Sequence, residues 1–533
     1  MVRKYLMAAI CAFSILPMCA QETYESARLA GKDLNGTARY VGMGGAMEAL
    51  GADISTIRTN PAGIGLFRHS KGSVSFGVVS QQDASKFANG KPTYMSFDQA
   101  GFVFAMPSSG RSYVNFAFNY TKSKDFNYIL SAASRLNGAS QNKLSYLKGM
   151  EGVFDIPSLD NGRPQLNDFD EVVSPDNSFN QLDYLYYNTL IYNPNLPVDQ
   201  QYGFYDAEGY LMKRANTGYI GTYDFNVSGN INDRVYLGAT VGVHSVHYKG
   251  YSEYTEHLAP NMDNVENVML DDNRKITGTG IDLRLGVIFR PLEYSPFRIG
   301  LHVATPIFYD LTTSNDTYLS YTNYDGHGSI GESYDFKVRT PWEFGISLGH
   351  TVGNYLALGA SYEYSDYSDC KVKVNNGGYF DDFWGDYYED NRNDRLMNEN
   401  LSGNLKGVST VKLGAEYKVD GNLAVRFGYN YVSPMYSKHG FKDGTLDSPG
   451  SYYSSATDYT NWGATNRITC GIGYRVNKFN FDIAYKYSST SGEFYPFLEY
   501  TTDDPSSDLN NICGYEKVEN KRHQVMLTMG YTF

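Results

Sequence analysis

From residue 72 onward the apolar positions recur with a period of two, not the 3.6 of a helix. Segments of about 10 residues with apolar–polar alternation, each bounded by turn residues, predict strands of the membrane-spanning kind. Fourteen are predicted: 72–81, 96–106, 112–122, 217–229, 233–248, 278–290, 297–308, 334–350, 354–366, 407–418, 422–433, 466–476, 479–489 and 521–533. In the last, Val525, Leu527, Met529, Tyr531 and Phe533 share one face, and Gln524, Thr528 and Thr532 the other. In 479–489, Phe479, Phe481, Ile483, Tyr485 and Tyr487 alternate with Asn480, Asp482, Ala484 and Lys486. In 278–290, Ile281, Leu283, Leu285, Val287 and Phe289 alternate with Asp282 and Arg284; in 422–433, Leu423, Val425, Phe427, Tyr429 and Tyr431 alternate with Arg426 and Asn430. The charges fall on the non-aromatic face each time. This is the facing of a lipid-out, lumen-in wall, because a charge facing hydrocarbon costs about 2–4 kcal/mol at the midplane.

The connections carry a second signal. Six are short, around Pro107–Arg111, Asn230–Asn232, Pro291–Pro296, Thr351–Gly353, Val419–Gly421 and Asn477–Lys478. They alternate strictly with seven longer ones, 82–95, 123–216, 249–277, 309–333, 367–406, 434–465 and 490–520. Tight turns on one side and long loops on the other mark a transmembrane barrel with both termini in the periplasm. A soluble β-sandwich has no reason to sort its loops by parity. The expected fold is all-β: a 14-stranded antiparallel transmembrane β-barrel over 72–533, with long extracellular loops. A closed barrel pairs every backbone group without water.

Composition agrees. Tyr, Phe and Trp number 48, 29 and 3, charged residues are only 19%, and Gly reaches 53. Mean hydropathy stays at −0.42 because half of each strand faces a polar interior. After residue 20 no run approaches 18 uninterrupted apolar residues, which excludes a helical membrane protein. The abundance of aromatics argues against disorder. A net charge of −13 leaves no basic footprint for nucleic acid.

Residues 1–20 predict a signal peptide. Arg3 and Lys4 precede an apolar stretch from Leu6 to Met18, and cleavage near Ala20 leaves Gln21 first. A lipoprotein cut before Cys19 is disfavoured by Met18, which is not small. The expected location is the outer membrane of a Gram-negative cell. Phe533, two residues after Tyr531, ends the chain as an outer-membrane assembly signal, which makes the barrel-assembly machinery an expected partner.

Residues 21–71 show no strand alternation and are expected to fold into the lumen as an N-terminal hatch or plug, since a fourteen-stranded lumen has room for one. They contain Tyr40-Val41-Gly42-Met43-Gly44-Gly45-Ala46, Asp53-Ile54-Ser55-Thr56 and Asn60-Pro61-Ala62-Gly63-Ile64-Gly65. The glycine cluster lacks the flanking strand and Lys-Ser/Thr pair of a phosphate loop. The order of these three elements resembles the hatch of the FadL/TodX family of outer-membrane transporters for long-chain fatty acids and other hydrophobic compounds. Thr340-Pro341-Trp342, Leu423-Ala424-Val425-Arg426-Phe427-Gly428-Tyr429, Gly471-Ile472-Gly473-Tyr474-Arg475 and Asp482-Ile483-Ala484-Tyr485 are similar as well. The resemblance implies a fourteen-stranded barrel plugged by its N-terminal hatch, with a hydrophobic small-molecule ligand and outer-membrane lipid as partners. The long loops carry no such match.

In this reading Asn60, Pro61, Ala62 and Gly63 form the movable element of the hatch, with Pro61 fixing φ and Gly63 permitting left-handed geometry. The insertion 123–216 is the expected capture site. Phe126, Ile129, Leu130, Ala133 and Leu136 recur at helical spacing, as do Leu182, Leu185, Tyr186, Thr189 and Leu190. Two such helices either form a ligand groove over the barrel mouth or pack on each other as a lid. His244 and His247 point to opposite faces of one strand and cannot share a metal. The acidic stretch Asp381, Asp382, Asp386, Glu389, Asp390 and Asp394 is a solvated rim or a calcium site. Cys370 and Cys513, both in predicted extracellular loops, leave a disulfide open; Cys470 shares the outward face of Ile468 and Ile472.

No catalytic constellation is found. His residues number only nine, and no G-x-S-x-G element stands at a strand–helix turn. The expectation is a monomeric uptake protein, not an enzyme, with no cofactor and no metal. A non-transporting barrel that scaffolds protein secretion or adhesion, and a barrel that takes up haem or another aromatic ligand, are the alternatives.

Overall fold

The computed structural model describes residues 22–533 except 157, 160–162, 170, 175–178, 262, 323–326 and 382–385; side-chain surroundings are also undescribed at 158, 159, 163 and 327 and over 375–390. The signal peptide and its cleavage site lie outside the described residues, as do the side chains from Asp381 to Asp390.

Fourteen strands close into one barrel. They are β1 (Lys71–Gln81), β2 (Thr93–Pro107), β3 (Tyr113–Asp125), β4 (Ala207–Ile231), β5 (Val235–Leu258), β6 (Asn267–Phe289) and β7 (Arg298–Ala304 with Phe308–Tyr321). Then come β8 (His327–Arg339 with Glu343–Val352), β9 (Leu356–Asp366, prolonged by Lys371–Asp381), β10 (Gly407–Lys418, preceded by Asp386–Asn393) and β11 (Leu423–Val432). The last are β12 (Tyr459–Val476), β13 (Phe479–Tyr495) and β14 (Glu516–Thr532). Neighbours pair antiparallel in sequence order, and β1 pairs with β14 from Lys71↔Thr532 to Gln81↔Arg522, so no edge remains.

The breaks inside β7 and β8 fall side by side at Pro306 and Pro341, which have no N–H for the ladder. Thr340 repairs the seam: its Oγ1 accepts from Ile307 N at 2.8 Å, and its N donates to Ile307 O at 3.1 Å.

The apolar faces point outward as the alternation requires. Val525, Leu527 and Met529 on β14, Phe479, Phe481 and Ile483 on β13, and Ile281, Leu283 and Leu285 on β6 are all exposed. Their neighbours Thr528, Asp482, Asp282 and Arg284 are buried in the lumen. The tight turns use left-handed backbone where Asn and Asp tolerate it, at Asn232, Asp233 and Asn477. Phe533 is exposed beside Tyr531, with ring centroids 5.0 Å apart.

Two expectations are corrected. The strands β4, β5 and β6 run to 25, 24 and 23 residues, well past the predicted extracellular ends. Above the lipid belt their outer face carries Lys213, Glu253 and Asp271 while Met212, Tyr254 and Leu270 turn inward, so the apolar-out alternation that marks a membrane strand is lost there. The run Phe126–Leu136 is not a helix. Tyr128–Arg135 is a strand that pairs with the upper part of β4, from Tyr128↔Asn216 to Arg135↔Gly209. A short apolar run fits either period, and here the tall neighbouring strand supplies ladder partners. Helices do stand nearby, at α3 (Gln141–Met150) and α4 (Gln181–Tyr186, continued to Ile191 by a wider turn), and they cap the mouth.

Cys370 and Cys513 are free, buried and in different apolar clusters, so the disulfide left open by the sequence is not formed. Burial pushes both thiols up to about 12. A thiol reacts as its thiolate, so the folded barrel should resist maleimide at pH 7 at both positions. After denaturation, mass spectrometry should find both labelled. Rapid labelling of the folded protein at either cysteine would contradict this packing.

Candidate functional site

The N-terminal segment lies inside the barrel. It starts toward the long-loop rim with α1 (Thr23–Ala30), capped by the Glu22 carboxylate, which accepts from Tyr24 N and Glu25 N. It continues through α2 (Ala38–Gly42) and two 3₁₀ turns, Ile54–Arg58 and Pro61–Leu66, to reach β1 at the short-turn rim. Most of its residues are buried.

The segment meets the wall backbone to backbone. Gly349, Gly359, Gly414 and Gly428 stand opposite one another in register across β8, β9, β10 and β11. Residues 43–50 of the plug lie against this row. A Cβ on Gly428 would overlap Gly44 N and Met43 C, one on Gly414 would overlap Met43 O, and one on Gly359 would overlap Ala46 O. A Cβ on Gly349 would come to 3.0 Å from Ala49 C. Gly238 and Gly286, paired across β5 and β6, leave the same kind of room for Pro61 and Asn60. On the plug side Gly44 has φ +63°, a left-handed turn open to glycine at little cost.

Polar wall side chains hold the plug's carbonyls. Asn115 Nδ2 donates to Ile64 O at 2.7 Å, Ser228 Oγ to Pro61 O at 2.8 Å and Lys486 Nζ to Leu34 O at 2.6 Å. In return Ala38 N donates to Thr528 Oγ1 at 2.7 Å. These bonds satisfy backbone groups that no ladder reaches.

Ion pairs complete the docking. Arg39 grips Glu416 with two bonds, at 2.8 and 2.9 Å; Glu416 also takes Arg426 Nε at 2.6 Å, and Arg426 reaches Asp482 at 2.7 Å. Higher up, Lys32 pairs with Glu343 at 2.5 Å, Glu48 with Lys412 at 2.8 Å and Glu25 with Arg274 at 2.6 Å. The predicted elements take defined places. Asp53 accepts from Thr37 Oγ1 and caps the first 3₁₀ turn. Asn60 caps the second, and its Nδ2 lies 3.3 Å from Val287 O and 3.4 Å from Leu301 O. Gly63 does not use left-handed backbone, contrary to the sequence expectation. It is a glycine because it lies against Thr56, whose Cβ would be 2.9 Å from an added Cβ.

Between plug and cap lies a cavity of about 420 Å³. Tyr24, Phe126, Tyr248, Tyr436, Tyr459 and Trp462 line it, with Tyr24 stacked on Tyr436 at 5.1 Å. Lys124, Arg467, Lys486 and Arg522 line it too. The first two share one carboxylate, Asp33, at 3.9 and 3.8 Å. Burial would raise Asp33, but Lys124, Arg467 and Arg522 hold its carboxyl well below the usual range. The cavity lining therefore combines aromatic rings with a group around Asp33 in which cations outnumber anions.

Of the residues expected to bind ligand, Phe126 and Leu130 line this cavity. Ile129, Leu136, Leu182, Leu185 and Tyr186 do not. All are buried, and Leu136, Leu182, Leu185 and Tyr186 form the core of the cap with Phe154, Tyr187, Phe494 and Phe497. The cap is pinned by Asp183, which takes Ser145 Oγ at 2.7 Å and pairs with Lys148. Asp394 caps helix α5 (Arg395–Asn404) and accepts from Ser448 Oγ at 2.6 Å, a structural role. His244 faces the lumen and His247 the outside. The glycine row and the plug-to-wall ion pairs were not foreseen. Their trace in the sequence is the parity of Gly349, Gly359, Gly414 and Gly428, which share the inward face with Lys412, Glu416 and Arg426.

Closed pairing, an apolar outer belt and a lumen filled by the chain's own N-terminal segment define a plugged outer-membrane β-barrel. No protein-family profile matches the chain, and no curated protein matches it. Over nearly its whole length it is similar to solved structures. One is the Ralstonia pickettii toluene transporter TbuX, with 14% identity, 94% of this chain and 98% of that one covered, and a TM-score of 0.44. A Pseudomonas aeruginosa FadL homologue shows 13% identity, 97% and 99% coverage and a TM-score of 0.46. The Pseudomonas putida toluene transporter TodX shows 11% identity, 94% and 99% coverage and a TM-score of 0.44.

Two predictions follow from the docking. Gly428→Val should displace the plug but leave the ladder intact, so the variant should keep heat-modifiable migration and show raised conductance in planar bilayers. Unchanged conductance would mean that the wall tolerates a side chain there. Glu416→Gln leaves the Arg39 and Arg426 guanidinium groups facing each other, and denaturant titration should show a loss of roughly 3–5 kcal/mol.

Proposed function

We propose that this protein takes up hydrophobic small molecules across the outer membrane, capturing them beneath the extracellular cap and passing them along a movable N-terminal hatch. The observation that carries this reading is the cavity between plug and cap, lined by aromatic rings and by a cluster of cations. An apolar chain gains about 0.8 kcal/mol per CH₂ removed from water, so an aromatic wall of this size gives useful affinity. The cations around Asp33 favour a ligand with one anionic end, such as a long-chain fatty acid. The buried apolar residues of 136–190 act in this account as the packed core of the lid, while Phe126 and Leu130 meet the ligand.

Passage requires the plug to shift. Residues 43–63 are held by short bonds and ion pairs to several strands, so the motion in this account is a local slide of the turns around Asn60–Gly63, with the barrel unchanged. The test locks the plug. The Ala49 Cβ lies 3.5 Å from where a Cβ on Gly300 would stand, within disulfide range; that Cβ would also press on Ser347 Oγ and come to 2.9 Å from Asn60 Nδ2, so the cross-link sits against the moving turn and the reduced pair controls for the strain. The pair Ala49→Cys/Gly300→Cys, refolded into liposomes, should take up a labelled long-chain fatty acid when reduced and lose most of that uptake when oxidised. Equal uptake in both states would show a static plug. No uptake by the wild-type barrel in either direction would favour the scaffold alternative.

A further inference from the structure

Glu48 stands on the plug turn after α2, and His302 and Glu363 point inward from β7 and β9. One carboxylate oxygen from each Glu and one ring nitrogen of His302 lie within 4.8 Å of one another. The side chains of Glu48 and His302 are 0% and 1% exposed. Lys412 Nζ bonds Glu48 Oε1 at 2.8 Å and Glu363 Oε1 at 2.5 Å. That leaves Glu48 Oε2 and both ring nitrogens of His302 with no hydrogen-bond partner. A buried polar atom left without a partner costs about 1–3 kcal/mol, and here three lie in one cluster, two of them on opposite edges of one imidazole ring. They face each other across gaps: Nδ1 is 3.8 Å from Glu48 Oε2, and Nε2 is 3.8 Å from Glu363 Oε1.

A gap of 3.8 Å is too long for a hydrogen bond. Either gap alone is close to the separation of two ligands on one tetrahedral ion, about 3.4 Å for bonds of about 2.1 Å; an ion takes one ring nitrogen, and the second carboxylate oxygen, within 4.8 Å of it, closes in by a side-chain turn. We propose that Glu48, His302 and Glu363 bind a divalent first-row transition metal ion, with Zn²⁺ as the type, through one ring nitrogen and one oxygen from each carboxylate. The imidazole selects such an ion over Mg²⁺ or Ca²⁺, which prefer all-oxygen sites. Room for the ring is built in. Gly345 stands opposite His302 in the ladder, and a Cβ there would overlap the imidazole. Lys412 neutralises part of the carboxylate charge and fixes both groups at this spacing. The ion joins one plug residue to two wall strands, so it staples the plug in its docked position. This does not rest on the transport reading.

The test uses the tag-free mature barrel in detergent, stripped with a chelator and dialysed against Zn²⁺ alone. Elemental analysis should give one ion per barrel, and calorimetry a saturable site that excess Mg²⁺ does not block. His302→Phe keeps the ring volume without a nitrogen, and Glu48→Gln keeps the shape without the charge. Each should weaken Zn²⁺ binding at least tenfold while retaining heat-modifiable migration. Zn²⁺ should also raise the unfolding temperature of the wild type and not of either variant. No stoichiometric uptake by the wild type, or equal uptake by both folded variants, would overturn the proposal.

Discussion

The plug can dock only because its backbone touches the backbone of the wall. Inward positions of a barrel strand normally carry side chains that fill the lumen. Here four registered glycines remove those side chains along one row, and residues 43–50 lie in the space. Everything else about the interior follows from that contact. It fixes the depth of the plug, places Arg39 beside Glu416 and Glu48 beside Lys412, and leaves the region between α1 and the cap open as a cavity.

Charge plays a positional role inside this barrel. A carboxylate or guanidinium taken out of water is expensive unless paired. The plug therefore docks in the register where Lys32, Arg39, Glu25 and Glu48 all find opposite charges on the wall. A plug shifted by one residue would leave several of them unpaired at once. The Lys124, Arg467 and Asp33 group sets two cations on one carboxylate, and it borders the cavity.

The barrel was legible in the sequence because lipid and lumen impose opposite chemistry on alternate residues. Each of the fourteen predicted segments overlaps a strand of the wall, with 297–308 and 334–350 running across the breaks at Pro306 and Pro341. The ends were not legible, since Lys213, Glu253 and Asp271 lie above the lipid, where nothing enforces an apolar outer face. The Phe126–Leu136 run was misread because its apolar spacing suits a helix when β4 is not known to rise beside it. The expectation of an N-terminal plug came from lumen size. The residues that hold it in place were not foreseen, because pairing across strands depends on register. Gly63 shows the limit clearly: its need for a small residue comes from Thr56, seven positions away, and not from its own φ.

The account turns on a plug that is docked at rest and yields locally to ligand. Hydrogen–deuterium exchange of the purified barrel, followed by mass spectrometry over peptides spanning 38–66, measures this directly. The account predicts strong protection of these amides without ligand. It also predicts a rise in exchange confined to the turns around Asn60–Gly63 when a long-chain fatty acid is added, with the strand amides unchanged. Rapid exchange across 38–66 in the absence of ligand would contradict the docking, and protection unaltered by saturating ligand would contradict the movable hatch.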